Sequence, residues 1–246
     1  WPMIGAAALV FPREGEAVCI LPHCYESEAR PFLWEAGTRF YRNGVLDAPE
    51  PLSALRDILA GTARDKRWRR IGYDGSFAVV APSWNSAEIL VPAATNAALL
   101  QSAFQDGELI DASPMLHAER LTKTAYEISK IRLASEISCL GLEAFDQSVD
   151  VGIPGVELAA LVEHAVMARG TGSRGAQRVR AYAQVAVGPE ESAVGYRPNE
   201  VSTLRKLEGG DVALLELGVV ADGYWADRTR VRIAGKIGRA SCRERV

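Results

Sequence analysis

The chain of 246 residues is poor in the residues that would mark several functional classes. Its four cysteines, Cys19, Cys24, Cys139 and Cys242, are too few and too irregularly spaced for a disulfide framework. They also lack the paired spacing of a structural zinc site. Histidine is scarce as well, limited to His23, His117 and His164. There is no Asn-x-Ser/Thr sequon and no legible secretory leader, so a reducing cytoplasm is the expected compartment. The longest apolar stretch, residues 6–11, falls far short of the roughly 20 residues a membrane helix needs, so no membrane partner is expected. Nor is there a basic excess. Lys and Arg number 28 against 31 Asp and Glu, a net charge of −3, which argues against a nucleic-acid partner.

What is present is ordinary globular composition, 48% hydrophobic and 24% charged, in a chain long enough for one large domain or two of common size. Residues 6–11 and 17–21 are short apolar runs around a polar turn at 12–16, which predicts a hairpin. Asn43-Gly44 reads as another turn. Residues 51–59 have helical spacing, with Pro51 suited to a first turn and Gly61 to a stop. Residues 70–73 and 108–111 read as strands. An α/β domain over residues 1–115 is expected, with its junction between residues 112 and 124.

Thr124 and Glu127 form a capping-box pattern that opens a long helix, with Ile128, Ile131, Ala134, Ile137, Leu140 and Phe145 as its apolar stripe. Pro154-Gly155 starts a second helix, with Leu158, Leu161, Val162, Ala165 and Val166 on one face and Gly170 as its stop. Residues 178–188 then alternate, and residues 211–220 and 224–233 make a strand pair. The order α-α-β-β-β predicts a second, α+β domain over residues 120–236. The last ten residues, 237–246, break the preceding pattern and are expected to be a non-native, adapter-derived tail rather than a short basic terminus, with the natural protein continuing past Lys236.

Two motifs are sharper in form than in meaning. Gly170-Thr171-Gly172-Ser173-Arg174-Gly175 satisfies G-x-G-x-x-G, but a helix precedes it and a strand follows, the reverse of a dinucleotide-binding turn. Arg64, Lys66, Arg67, Arg69 and Arg70 cluster around Trp68, and a solvated segment ahead of a strand is the expected reading.

The chemistry concentrates at residues 211–233. Taking residues 220–223 as a type I turn, with Gly223 in its last position, Glu216 and Asp227 become a directly opposed pair. Asp227 then shares a face with Trp225, Thr229, Val231 and Ile233, apart from Arg228, Arg230 and Arg232. Two carboxylates on a buried face are costly unless a cation, proton or donor compensates them, and a hard divalent ion such as Mn²⁺ would do so. The same pattern fits a surface hairpin whose acids face water.

These residues resemble a known family. Gly210-Asp211, Glu216-Leu217-Gly218 and Gly223-Tyr224-Trp225-Ala226-Asp227-Arg228-Thr229-Arg230 resemble the first metal-binding hairpin of the pita-bread metallopeptidases: Xaa-Pro aminopeptidases, prolidases, methionine aminopeptidases and the metal-free creatinases. The run from Leu121 to Ala134 resembles the entry to that domain in the Xaa-Pro and creatinase branch, and Gly188-Pro189 with Tyr196-Arg197-Pro198 the strand before the hairpin. The resemblance implies a creatinase-type α/β N-terminal domain followed by the first half of an α+β pita-bread domain. It implies a metallopeptidase cleaving near proline, Glu216 and Asp227 as metal ligands, two Mn or Co ions in the full-length parent, a proline-containing peptide as substrate and a homodimer. The chain departs from the family in having Glu216 for the usual Asp and Gly195 for a frequent His. A His and two Glu ligands would lie beyond Lys236, so tight metal binding and activity are not expected of the chain alone. A creatinase-like metal-free C–N hydrolase and a non-catalytic binding protein are the alternatives on the same fold.

Overall fold

A computed structural model describes residues 7–29, 37–42, 52–66, 68–75, 93–193 and 202–235. The expectations for Asn43-Gly44, Gly195, Tyr196-Arg197-Pro198 and the tail at 237–246 lie outside the described residues. The chain divides into two compact units, Trp1–Thr122 and Lys123–Val246.

In the first unit β1 (Ala8–Val10) pairs antiparallel with β2 (Val18–Pro22), the hairpin legible in the two apolar runs. A 3-10 turn and the short α1 (Glu26–Ala29) follow, and β3 (Thr38–Tyr41) joins β2 in parallel. After α2 (Ser53–Lys66) come β4 (Arg70–Tyr73), α3 (Ala93–Ala103) and β5 (Glu108–Asp111), with β4 and β5 paired in parallel. Ile20, Tyr41, Leu55, Leu59, Ala103 and Phe104 are its buried core.

One expectation fails in this unit. Gly61 does not stop α2, which runs on to Lys66. An interior glycine costs a helix only about 1 kcal/mol, and Ala63, two residues further on, packs against the core. The basic residues around Trp68 are solvated as expected, with Arg64, Lys66, Arg69 and Arg70 all exposed. Arg64 and Lys66 close α2, Arg70 opens β4, and Trp68 packs against the core between them. The junction itself carries a helix that sequence reasoning missed, α4 (Ser113–Leu121), with Pro114 in its first turn.

The second unit begins at the capping box. Glu127 donates its backbone N–H to Thr124 Oγ1 (3.2 Å), and the Thr124 N–H donates to Glu127 Oε2 (2.7 Å). From there α5 (Ala125–Ser148) and α6 (Gly155–Gly170) lie on one face of an antiparallel sheet of β6 (Val179–Val187), β7 (Val212–Ala221) and β8 (Tyr224–Ile233), in the order β6-β7-β8. A short helix, α7 (Gly188–Ala193), follows β6. The G-x-G-x-x-G run is the loop between α6 and β6.

The core lies between helices and sheet. Ala134, Ile137, Phe145, Leu158, Val162 and Val166 meet Val179, Val185, Val187, Ala213, Leu215, Leu217 and Val219. Gly141 permits this approach, because a Cβ there would sit 2.7 Å from Leu217 Cδ2 and 2.8 Å from Val166 Cγ2. The helical stripes are narrower than the periodicity implied. Ile128 is 45% and Leu161 40% exposed. Ile128 belongs to the first turn of α5 and Leu161 points off the buried line of Leu158, Val162 and Val166.

The outer edge of β6 is closed by side chains. The N–H groups of Ala183, Val185 and Val187 donate to Glu163 Oε1 (2.9 Å), Ser202 Oγ (2.9 Å) and Glu191 Oε2 (2.8 Å). Such capping withdraws an edge strand from pairing with another chain.

Candidate active site on the open face of the sheet

The hairpin β7–β8 turns at Asp222-Gly223, whose φ values of 49° and 90° are those of a type I′ turn. This corrects the type I turn expected over residues 220–223. Type I′ matches the right-handed twist of the flanking strands, and Asp-Gly is well suited to its two left-handed positions. The register shifts accordingly. Glu216 stands opposite Thr229, and Asp227 opposite Gly218, so the two acids are diagonal neighbours rather than a direct pair.

Asp222 fastens the turn. Its Oδ1 accepts the N–H groups of Gln177 (3.0 Å) and Arg178 (3.1 Å), its Oδ2 meets Lys130 Nζ from α5 at 3.1 Å, and its own N–H donates to Arg178 O. Burial works to raise the Asp222 pKa, but these donors together hold it below the usual carboxylate value.

Of the two readings open for this face, buried or turned to water, the structure follows the second, with Asp227 exposed and Glu216 half-buried. The arginine side of β8 is the one packed on α5. Arg232 bonds Asp146, Arg230 Nε approaches the same carboxylate at 3.7 Å, and Arg228 Nε donates to Ser138 Oγ at 3.5 Å. The side carrying Asp227 is the open one, with Trp225 37% and Val231 49% exposed. Long arginine stems can cover apolar helix surface while their heads find Asp146, so charge alone did not identify the outer face.

On that open face the registers lay out a small grid. Gln184 of β6, Glu216 of β7 and Thr229 of β8 form one row; Tyr182, Gly218 and Asp227 form the next. Thr229 Oγ1 donates to Glu216 Oε2 at 2.7 Å. Burial raises the Glu216 pKa, and the neighbouring Asp227 carboxylate adds to the rise; the Thr229 hydroxyl opposes both. Gly218 leaves room for the Trp225 ring, since a Cβ there would lie 2.8 Å from Trp225 Cζ3. Gln184 is only 4% exposed; its Nε2 donates to Tyr182 Oη at 2.7 Å, and its Oε1 has no hydrogen-bond partner among the described residues.

The structure thus brings the two acids named from sequence close enough to interact, although by a different register. It adds Thr229, Gln184, Tyr182 and Trp225, which sequence reasoning left without a role at the site. Strand alternation would have put Tyr182 and Gln184 on one face, but only the β6–β7 register sets them beside Glu216.

The donors on this face are oxygens, which suit a hard divalent cation such as Mg²⁺ or Mn²⁺. Among the described residues no group of three or more His, Cys, Asp or Glu converges on one point. The residues present therefore fit a cation held by two carboxylates and completed by other ligands. A cavity of about 420 Å³ in the first unit is lined by Arg56, Arg64 and Arg69 as well as Asp57 and Asp106, so its acids stand among basic residues. Arg64 lies in the last turn of α2, where the helix dipole favours a basic residue.

Comparison with known proteins finds a family match over a span that includes this hairpin. Residues 129–244 match the sequence model of the Peptidase_M24 domain, metallopeptidase family M24. YkvY of Bacillus subtilis (strain 168), which carries a dipeptidase name, is 24% identical over 213 residues, covering 81% of this chain and 56% of its own length. The X-Pro aminopeptidase from Thermotoga maritima MSB8 superposes with a TM-score of 0.68 at 23% identity, over 93% of this chain and 56% of that one. Prolidase from Thermococcus sibiricus superposes at 0.65 and 22% identity, over 98% and 57%. The chain spans little more than half the length of these proteins, and its fold, an α/β unit followed by an α+β unit of pita-bread type, is theirs over that span.

Proposed function

Because residues 129–244 carry a metallopeptidase family M24 domain, we propose that the protein belongs to a metal-dependent peptidase cleaving bonds next to proline, of the Xaa-Pro aminopeptidase or dipeptidase type. The observation that carries this reading is the Glu216–Asp227 pair on the open face of β7–β8, inside the matched region.

In this reading Glu216 and Asp227 hold the cation. When bound, such a metal supplies Lewis acidity toward the scissile carbonyl and an activated water. The protein's own contribution is arrangement. Thr229 orients one Glu216 oxygen, the Lys130–Asp222 clasp holds the hairpin to α5, and Trp225 offers a flat apolar wall for a substrate side chain. The same reading includes a proline-containing peptide as substrate, a homodimer as assembly, Mn²⁺ or Co²⁺ as metal and the cytoplasm as compartment. No helix among the described residues is long and apolar enough to cross a membrane.

A creatinase-like, metal-free hydrolase is favoured by one observation. Burial and the neighbouring Asp227 carboxylate raise the pKa of Glu216, which lessens the negative charge a metal would have to balance. A test on Xaa-Pro dipeptides and on creatine, each with Mn²⁺ and with chelator, separates the two. Metal-dependent release of proline supports the peptidase; chelator-resistant turnover of creatine supports the alternative. With two carboxylates converging, the chain alone is expected to bind metal weakly and turn over little; tight Mn²⁺ binding lost in Asp227→Ala overturns that expectation.

A further inference from the structure

We propose that the side-chain oxygen of Gln184 is a third oxygen ligand for the cation held by Glu216 and Asp227, so that β6 takes part in the metal site. The proposal rests on the reading of that pair as metal ligands. It begins from an unsatisfied atom. Buried side-chain amides are almost always fully hydrogen-bonded, because an orphaned acceptor bears its whole desolvation cost. Gln184 is 4% exposed, yet only its Nε2 is engaged, by Tyr182 Oη at 2.7 Å, and no described residue donates to its Oε1.

Its place explains what the orphan can do. Gln184 and Glu216 are Cα partners in the β6–β7 ladder, and cross-strand partners have Cβ atoms about 4.5–5.5 Å apart, well within reach of two long side chains. Of the two hydroxyls the registers place here, Thr229 Oγ1 donates to Glu216 at 2.7 Å and Tyr182 Oη accepts from Gln184 Nε2 at 2.7 Å. The basic residue on the same face of β6, Arg180, donates Nη1 to the Val179 carbonyl at 2.8 Å. The centre of the face therefore gathers an amide oxygen and two carboxylates, all acceptors. Acceptors crowded in a half-buried place are stabilised by a shared cation, and a neutral amide oxygen is an ordinary ligand of hard divalent ions. It adds a ligand without a third negative charge.

The test is titration of Mn²⁺ into the whole chain, with free Mn²⁺ counted by electron paramagnetic resonance, for the parent, Asp227→Ala, Gln184→Leu and Gln184→Glu. The expected result is binding weakened by about tenfold in Gln184→Leu and tightened in Gln184→Glu, as affinity follows ligand number and charge. If Asp227→Ala weakens binding and neither Gln184 variant changes it, the Gln184 ligand is overturned while the reading of the acid pair stands. If Asp227→Ala binds as the parent does, that reading fails and takes the Gln184 ligand with it. Should Gln184→Leu fail to fold, as thermal melting would show, Gln184→Glu decides alone: tighter binding supports the proposal and unchanged binding overturns it.

Discussion

The two faces of the β6-β7-β8 sheet are built from the same strands and do opposite things. On the helix side Ala213, Leu215, Leu217, Val219 and Ala221 are fully buried against α5 and α6, and the arginines of β8 meet Ser138 and Asp146 of α5. On the open side the residues between them are Leu214, Glu216, Gly218 and Val220, flanked by Gln184, Tyr182, Asp227 and Trp225. One face gathers stability, the other gathers charge and acceptors at the expense of stability. The contrast teaches that the candidate site is tolerated because the opposite face is so well packed.

The strongest way to break this comparison is to damage the packed face. Leu217→Ala should cost about 2–5 kcal/mol, since Leu217 is fully buried and its loss leaves a cavity. Val231→Thr on the open face should change stability by less than about 0.5 kcal/mol. Urea unfolding of both variants measures the difference, and similar losses would show that the open face is packed in solution.

Next in size is the clasp at the hairpin tip. Asp222→Ala removes an acceptor shared by Gln177, Arg178 and Lys130 and should cost about 2 kcal/mol. Because the folded pKa of Asp222 lies below its unfolded value, its contribution is complete above the unfolded pKa, about 3.9. It is lost as pH falls through the folded value. Asp222→Asn should therefore flatten the acid limb of a stability-against-pH curve, and an unchanged limb would show that the carboxylate charge contributes nothing.

The smallest expected effect has the opposite sign. Glu163 bonds the Ala183 N–H at the β6 edge, but burial raises its pKa despite that bond. An acid with a raised folded pKa binds its proton more tightly in the native state. Stability then declines as pH rises from the unfolded pKa through the folded one and stays lower above it. Glu163→Gln keeps an acceptor for Ala183 and should add up to about 1 kcal/mol at pH 7, with no gain below pH 4. A loss at pH 7 would mean that the charged form is the better edge cap.

Much of the second unit was legible residue by residue. The capping box at Thr124 and Glu127, the glycine at the end of α6 and the alternation of residues 178–188 each depend on chemistry within a few positions of the chain, and each holds in the structure. The helix α4 was not legible because the expected junction covered it, and Gly61 misled because a weak helix breaker yields to packing.

At the site, the sequence by itself determined that Glu216 and Asp227 would lie on one hairpin and that Asp227 and the arginines would lie on opposite faces, because strand side chains alternate with a period of two. The tertiary structure decided the rest. The φ values of Asp222 and Gly223 set a type I′ turn and with it the register, which moved Asp227 opposite Gly218 and Thr229 opposite Glu216. Helix α5, with Asp146 more than eighty positions before Arg232, decided that the arginines turn inward and the acids outward. Alternation fixes which residues share a face, but which face is inside depends on a partner brought from far along the chain.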